Sequence, residues 1–372
     1  MIRPSLDRFA VRSFALAALA VLAACGDPEP IKVGIIVGLT GRSADLGEAS
    51  RNAVQLAADE VNQSGGINGR PISLIALDDE GKPEAAAAAV RRAHEEGVVA
   101  IIGPNLSSTT TGMLPEINRL EVITISPTAS SLDFVDIDDF LFRINWSTRE
   151  NATIYAKHYH NMGIRNVAAA IDANNRAFSE SWLNEFKSAF EALGDVTVVS
   201  DLFDANSDQG YSSTARKLLE SQPDAVLLIA NSVDTAQITQ QIRKLDKQTL
   251  IVAAEWAASE RLLQLGGKAI EGIEMVQSYD RNNQSERYLD FKSAYFERFK
   301  RLPGYASVAS YDAALMLFAA LRKDDDPKTL KKNLIGLPVI DGLQQPLKFN
   351  KYGDAERRAF FVTVQDGSFV QQ

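Results

Sequence analysis

Two short serine-rich stretches hold the residue types suited to gripping an anion. Gly103-Pro104-Asn105-Leu106-Ser107-Ser108-Thr109-Thr110 follows an apolar run and opens a helical period. Backbone N–H groups at a helix start, joined by serine hydroxyls, form a ready site for a carboxylate. Ser107 and Ser108 are equally suited to capping that helix, and the residues alone leave both readings open. Ser126-Pro127-Thr128-Ala129-Ser130-Ser131 repeats the arrangement after the next apolar run, with an ordinary Pro/Ser turn as the alternative.

Catalytic and metal chemistry find no comparable support. His94, His158 and His160 are the only histidines. The last two are two apart on an expected helix, so they do not share a face and are expected on the surface. Gly65-Gly66-Ile67-Asn68-Gly69 follows a helix and precedes a strand, the reverse of a phosphate-binding loop. Asp78-Asp79-Glu80 lacks companions for a carboxylate metal site and reads as a solvated loop. No GxSxG elbow, Walker motif or paired nucleophile and base stands out. The expectation is a protein that is not an enzyme and uses no cofactor or metal.

Cys25 is the single cysteine of the 372 residues, which removes disulfides, CxxC redox pairs and cysteine metal clusters from consideration. Its setting gives it another role. Arg3, Arg8 and Arg12 precede an uncharged stretch from Phe14 to Ala24, too short to span a bilayer but ordered like a secretory signal. Leu22-Ala23-Ala24-Cys25 resembles the bacterial lipobox, so residues 1–24 are expected to be a signal peptide and Cys25 to be lipidated. Residues 25–30, with Pro28 and Pro30, then read as a tether. The signal carries three arginines against Asp7, so its removal shifts the formal charge from −9 to −11. That acidic, evenly spread balance argues against nucleic acid or an anionic membrane surface as partner. The membrane is expected to be reached through the lipid anchor only.

The elements that must position these residues alternate. Strands are expected at 31–37, 72–77, 98–102 and 122–125, with helices at 47–62 and 83–96 and a third after Ser107. The rhythm changes around Phe140 to Ser147 and restarts. Strands at 167–171, 196–200, 225–229 and 250–254 then alternate with helices at 151–162, 179–193, 211–220 and 234–245. A further strand at 273–279, helices at 285–299 and 305–321, and an antiparallel end complete the pattern. Alternating βα units indicate a mostly parallel sheet. With 45% apolar residues the chain is ample for a core and longer than one core usually holds, so two lobes are expected. No flexible linker separates them, which points to a cleft closed by hinge motion.

The order and spacing of Gly38-Leu39-Thr40-Gly41, Gly47, Ala57-Ala58-Asp59-Glu60-Val61-Asn62, Gly65-Gly66-Ile67-Asn68-Gly69-Arg70, Asp78-Asp79, Ile102-Gly103-Pro104, Ser107-Ser108 and Ile125-Ser126-Pro127 resemble the leucine/isoleucine/valine-binding type of periplasmic receptor. Such receptors are the solute-binding subunits of branched-chain amino acid ABC transporters. The resemblance implies a type I periplasmic-binding fold, two doubly wound α/β lobes joined by a three-strand hinge. Lobe one would be 31–146 plus 277–342, and lobe two 147–276 plus 343–372.

The resemblance also assigns residues. It implies that Ser107, with Ser108 beside it, and the Ser130 hydroxyl meet a ligand carboxylate, and that the Thr128 carbonyl and Glu255 meet its ammonium. Leu46 falls where the family often carries a larger contacting side chain. Phe178 and Asn231 fall where it places aromatic or polar contacts, often tyrosines, and both depart from tyrosine here. Tyr305 is a further candidate, and Trp256 is either an aromatic wall or a core residue. The implied function is capture of an amino acid or related small carboxylate for the permease subunits of an ABC importer. A ligand-sensing receptor acting on a signalling partner is the alternative.

Overall fold

The computed structural model describes residues 28–207 and 210–372. The expected signal segment, the lipidation at Cys25 and the start of the tether lie outside the described residues. Among those described, no helix is long and apolar enough to cross a membrane.

Strands β1 (Ile31–Val37), β2 (Ile72–Asp78), β3 (Ala100–Ile102), β4 (Ile123–Ser126) and β5 (Leu141–Arg143) pair in the order β2-β1-β3-β4-β5, all parallel. Next come β6 (Asn166–Asp172), β7 (Thr197–Phe203), β8 (Ala225–Ile229), β9 (Leu250–Ala253), β10 (Glu274–Gln277), the short pair β11 (Ile340–Asp341) and β12 (Pro346–Leu347), β13 (Phe360–Gln365) and β14 (Ser368–Gln371). The second large sheet has the order β14-β13-β10-β9-β8-β6-β7. It is parallel from β6 to β10, and β13 and β14 close it antiparallel. Helices on both faces bury Ile31, Val33, Ile35, Ile36 and Val37 of β1 completely, which is why the strand reads as a continuous apolar run.

The chain crosses between the sheets at 144–147, again after β10, and a third time before β13. After the second crossing, helices Glu286–Phe299 and Tyr305–Lys323 return to pack on helix Ala44–Gln63 beside the first sheet. In both sheets the strand order reverses beside the first strand of the unit, at β1 and at β6. Open α/β sheets bind ligands in the crevice beyond the carboxyl ends of strands at such reversals, and here the two crevices face each other.

Several local expectations need correction. The helix expected from Gly47 starts at Ala44. A glycine reads as a turn, but a Cβ on Gly47 would lie 1.9 Å from the Gly38 carbonyl oxygen, so the residue serves close packing of the first helical turn on the β1 loop. Likewise Gly103, with φ +121°, would put a Cβ 1.8 Å from the Ile36 oxygen. The Asp78-Asp79-Glu80 run is not a solvated loop throughout. Asp79 is fully buried and accepts from the Gly81 N–H, and burial pushes its carboxyl up to about 6. His158 is half-buried and stacks on Phe361 at 4.2 Å rather than standing on the surface.

Candidate functional site

The serine turns sit at the carboxyl ends of β3 and β4 and are laced together. Ser107 Oγ accepts from the backbone N–H groups of Ser130 (3.3 Å) and Ser131 (3.2 Å). Thr128 Oγ1 donates to the Asn105 carbonyl at 2.7 Å, and Ser126 Oγ to that of Pro104 at 2.7 Å. Asn105 Nδ2 donates to Ser50 Oγ at 2.9 Å. With Ser107 Oγ already accepting twice, its own proton is the part left for an external acceptor. Ser107 therefore joins the two turns and offers a donor beside them. Ser107→Ala should weaken the grip on a carboxylate by about 1–3 kcal/mol, read by titration calorimetry. Unchanged affinity would leave the serine only as a joint between the turns.

Across the cleft, Glu255 follows β9 as the first residue of a short 3-10 turn and is buried. Asn151 Nδ2 donates to Oε1 and Trp182 Nε1 to Oε2, each at 2.9 Å. Burial raises the Glu255 pKa above the ordinary glutamate value, while its backbone N–H and these two side chains oppose the rise. Both carboxylate oxygens are thus oriented by fixed donors, yet among the described residues no cation pairs with them.

A small, tight cavity lies between the two halves of this arrangement. It is lined by seven of the nine residues singled out from the sequence as ligand contacts: Leu46, Ser107, Thr128, Ser130, Phe178, Glu255 and Tyr305. Trp256 also lines it and meets Phe178 edge-on at 5.5 Å. Its lining includes no lysine, arginine or histidine. Among the described residues no cluster of His, Cys, Asp and Glu could hold a metal ion.

Ser108 and Asn231 lie outside that lining. The Ser108 N–H donates to Asn175 Oδ1 (3.0 Å) and its hydroxyl accepts from the Ala177 N–H (3.2 Å), so it bridges the lobes. Asn231 caps helix Ser232–Leu245, accepting from the N–H groups of Val233 and Asp234 at 3.0 Å each. Asn105, Asn145 and Asn175 line the cavity and were not singled out. Asn175 follows β6 much as Glu255 follows β9, so a search of strand ends would reach it. Asn145 leaves no comparable trace.

The mouth of the cleft is bridged at two further places. Arg42, on the loop after β1, donates to the buried Asp234 (2.9 Å), to Tyr211 Oη (2.8 Å) and to the Ala205 carbonyl (3.2 Å) of the opposite lobe. Asp45 accepts from Ser259 Oγ at 2.8 Å and Ser232 Oγ at 3.3 Å. These bonds exist only while the lobes are together, so they stabilise the closed form without touching the cavity. Arg42→Ala is expected to weaken ligand affinity roughly 3- to 30-fold, mostly through faster release, with the ranking among ligands preserved. Stopped-flow release rates check this; a changed ranking would place Arg42 in the ligand site instead.

Comparison with known proteins agrees with this geometry. Residues 30–368 match the family model for periplasmic binding proteins. The Leu/Ile/Val-binding protein BraC3 of Rhizobium johnstonii is 23% identical over 330 residues, covering 87% of this chain and 88% of its own. A leucine-binding protein of Thermotoga maritima superposes with a TM-score of 0.84 at 23% identity, over 92% of this chain and 97% of that one. A solute-binding protein of an ABC transporter from R. palustris, solved with benzoate, superposes with a TM-score of 0.83 at 20% identity, over 92% and 95%. At these identities the superpositions establish the fold, and the ligand has to be argued from the site.

Proposed function

Since the chain belongs to the periplasmic binding protein family, whose members bind solutes and are not enzymes, we propose that it captures an α-amino acid between its lobes for the permease of an ABC importer. One observation carries the ligand class: Glu255 is a buried carboxylate, held by two N–H donors, in a cavity whose lining supplies no cation. A buried charge without a counter-charge is costly. A zwitterion supplies that counter-charge, its ammonium meeting Glu255 and the Thr128 carbonyl. Its carboxylate then meets Ser107, Ser130 and the adjoining backbone, while Leu46, Phe178 and Tyr305, with Trp256, surround the side chain. An acid lacking an ammonium, such as benzoate, adds a second negative charge instead. In this reading Ser108 and Asn231 act through lobe contact and helix capping, and the lobes divide at the crossings near 146, 277 and 342.

The delivery route rests on the basic start at Arg3, Arg8 and Arg12 and on Leu22-Ala23-Ala24-Cys25. They support an extracytoplasmic protein held at the membrane by a lipid on Cys25. Thermal-shift measurements over the twenty amino acids, benzoate and short-chain acids test the ligand class. A fitting amino acid at 100 times its Kd should add about 2.7 kcal/mol of stability. A response confined to acids without an ammonium would overturn it.

A further inference from the structure

Asn145 lies on the first crossing between the lobes, after β5 and before the helix capped by Ser147, and is only 5% exposed. Its neighbours are all committed. The Ile144 N–H donates to the Ser126 carbonyl (3.0 Å), the Ile144 carbonyl accepts from Arg357 Nε (3.0 Å), and the Thr148 N–H donates to the Ser130 carbonyl (2.8 Å). The crossing is therefore tied to the β4 turn on one side and to the third crossing on the other. The Asn145 amide oxygen, by contrast, is buried without a hydrogen-bond partner, and the residue lines the cavity beside Ser130 and Glu255.

A buried amide oxygen left unpaired costs roughly 1–3 kcal/mol, and native structures keep few such groups without a reason. The cavity gives the reason. A ligand ammonium has three N–H donors to place, and Glu255 and the Thr128 carbonyl account for two. We propose that Asn145 Oδ1 accepts the third and makes the cavity selective for a primary ammonium. The inference rests on the amino-acid reading above and adds a residue which that reading does not contain. It also puts a ligand contact on the hinge itself, so that filling the cavity secures a segment running between the lobes.

The test compares wild type with Asn145→Leu and Asn145→Asp, using L-leucine and its deaminated counterpart L-2-hydroxy-4-methylpentanoate as probes. Aspartate keeps an acceptor at the position and leucine removes it. Asn145→Leu should weaken L-leucine binding about 10- to 100-fold, the loss of one hydrogen bond to a charged group. The hydroxy acid should change less than about threefold, and Asn145→Asp should hold L-leucine affinity within about threefold. Asn145→Leu should not lower the ligand-free melting temperature, because the amide oxygen has no protein partner to lose, whereas Asn145→Asp adds a buried carboxylate beside Glu255 and should lower it. Unchanged L-leucine affinity in Asn145→Leu would overturn the assignment, and so would an equal loss in both variants. A fall in the ligand-free melting temperature of Asn145→Leu would make the residue a structural one. Failure of wild type to prefer L-leucine over the hydroxy acid would instead overturn the amino-acid reading, and this inference with it.

Discussion

Glu255→Gln is expected to cost roughly 30- to 1,000-fold in affinity for an amino acid, the range measured when one partner of a buried charge pair is removed. The substitution keeps the size of the side chain and removes its charge, so the ammonium would enter the cavity with no counter-ion. Ligand-free stability should hold or rise, because a buried, unpaired carboxylate is replaced by a neutral amide. The pH dependence has a definite sign. Burial raises the Glu255 pKa above 4.5 in the ligand-free protein, and a bound ammonium favours the ionised form and lowers it again. Affinity is therefore complete above the ligand-free pKa and falls by up to about tenfold per unit as pH drops through it. Asp79 and Asp172, each pushed up by burial to about 6, can add a pH dependence of their own. The Glu255→Gln variant separates them, since its affinity should lose this slope. Calorimetry on both proteins between pH 4 and 8 decides the matter, and parallel pH profiles would remove Glu255 from the ligand's ammonium.

The second large effect concerns the hinge rather than the cavity. Asp312 is fully buried on helix Tyr305–Lys323 and pairs with the buried guanidinium of Arg357. Its other oxygen accepts from the Leu343 N–H at 2.8 Å, and Arg357 Nε reaches the Ile144 carbonyl. One ion pair thus ties the first crossing, the last long helix and the approach to the third crossing. Asp312→Ala would leave an unpaired guanidinium and an unpaired backbone N–H in the interior. The expected loss is about 3–5 kcal/mol of folding stability, as for other broken buried pairs. Urea unfolding of the two proteins measures it, and a loss under about 1 kcal/mol would mean that water reaches and solvates Arg357.

The sequence carried the strand rhythm well because buried parallel strands are continuous apolar runs, as in β1, β6 and β8. It carried β7 poorly. That strand lies at a sheet edge and is half exposed, so its 196–200 reading missed the extension to Phe203. At the candidate site, the resemblance pointed to Ser107, Thr128, Ser130 and Glu255, which all follow strand ends and line one cavity, since strand ends converge in this class of fold. Asn231 occupies the same kind of position, yet its amide is spent on a helix start, a competition that spacing does not reveal. Ser108 is drawn away in the same manner by Asn175. The Arg42–Asp234 bridge was invisible for a different reason: its partners are 192 positions apart and each lies in an unremarkable polar stretch. Asn145 shows the same limit, being defined by an unpaired atom rather than by any pattern.

The most direct test of the central claim is a crystal structure of the protein with the amino acid that raises its melting temperature most. The ammonium nitrogen should lie about 3 Å from Glu255, with the carboxylate against Ser107 and Ser130, both lobes contributing and the ligand chemically unchanged. A ligand held by one lobe alone, or one whose carboxylate faces Glu255, would contradict the account.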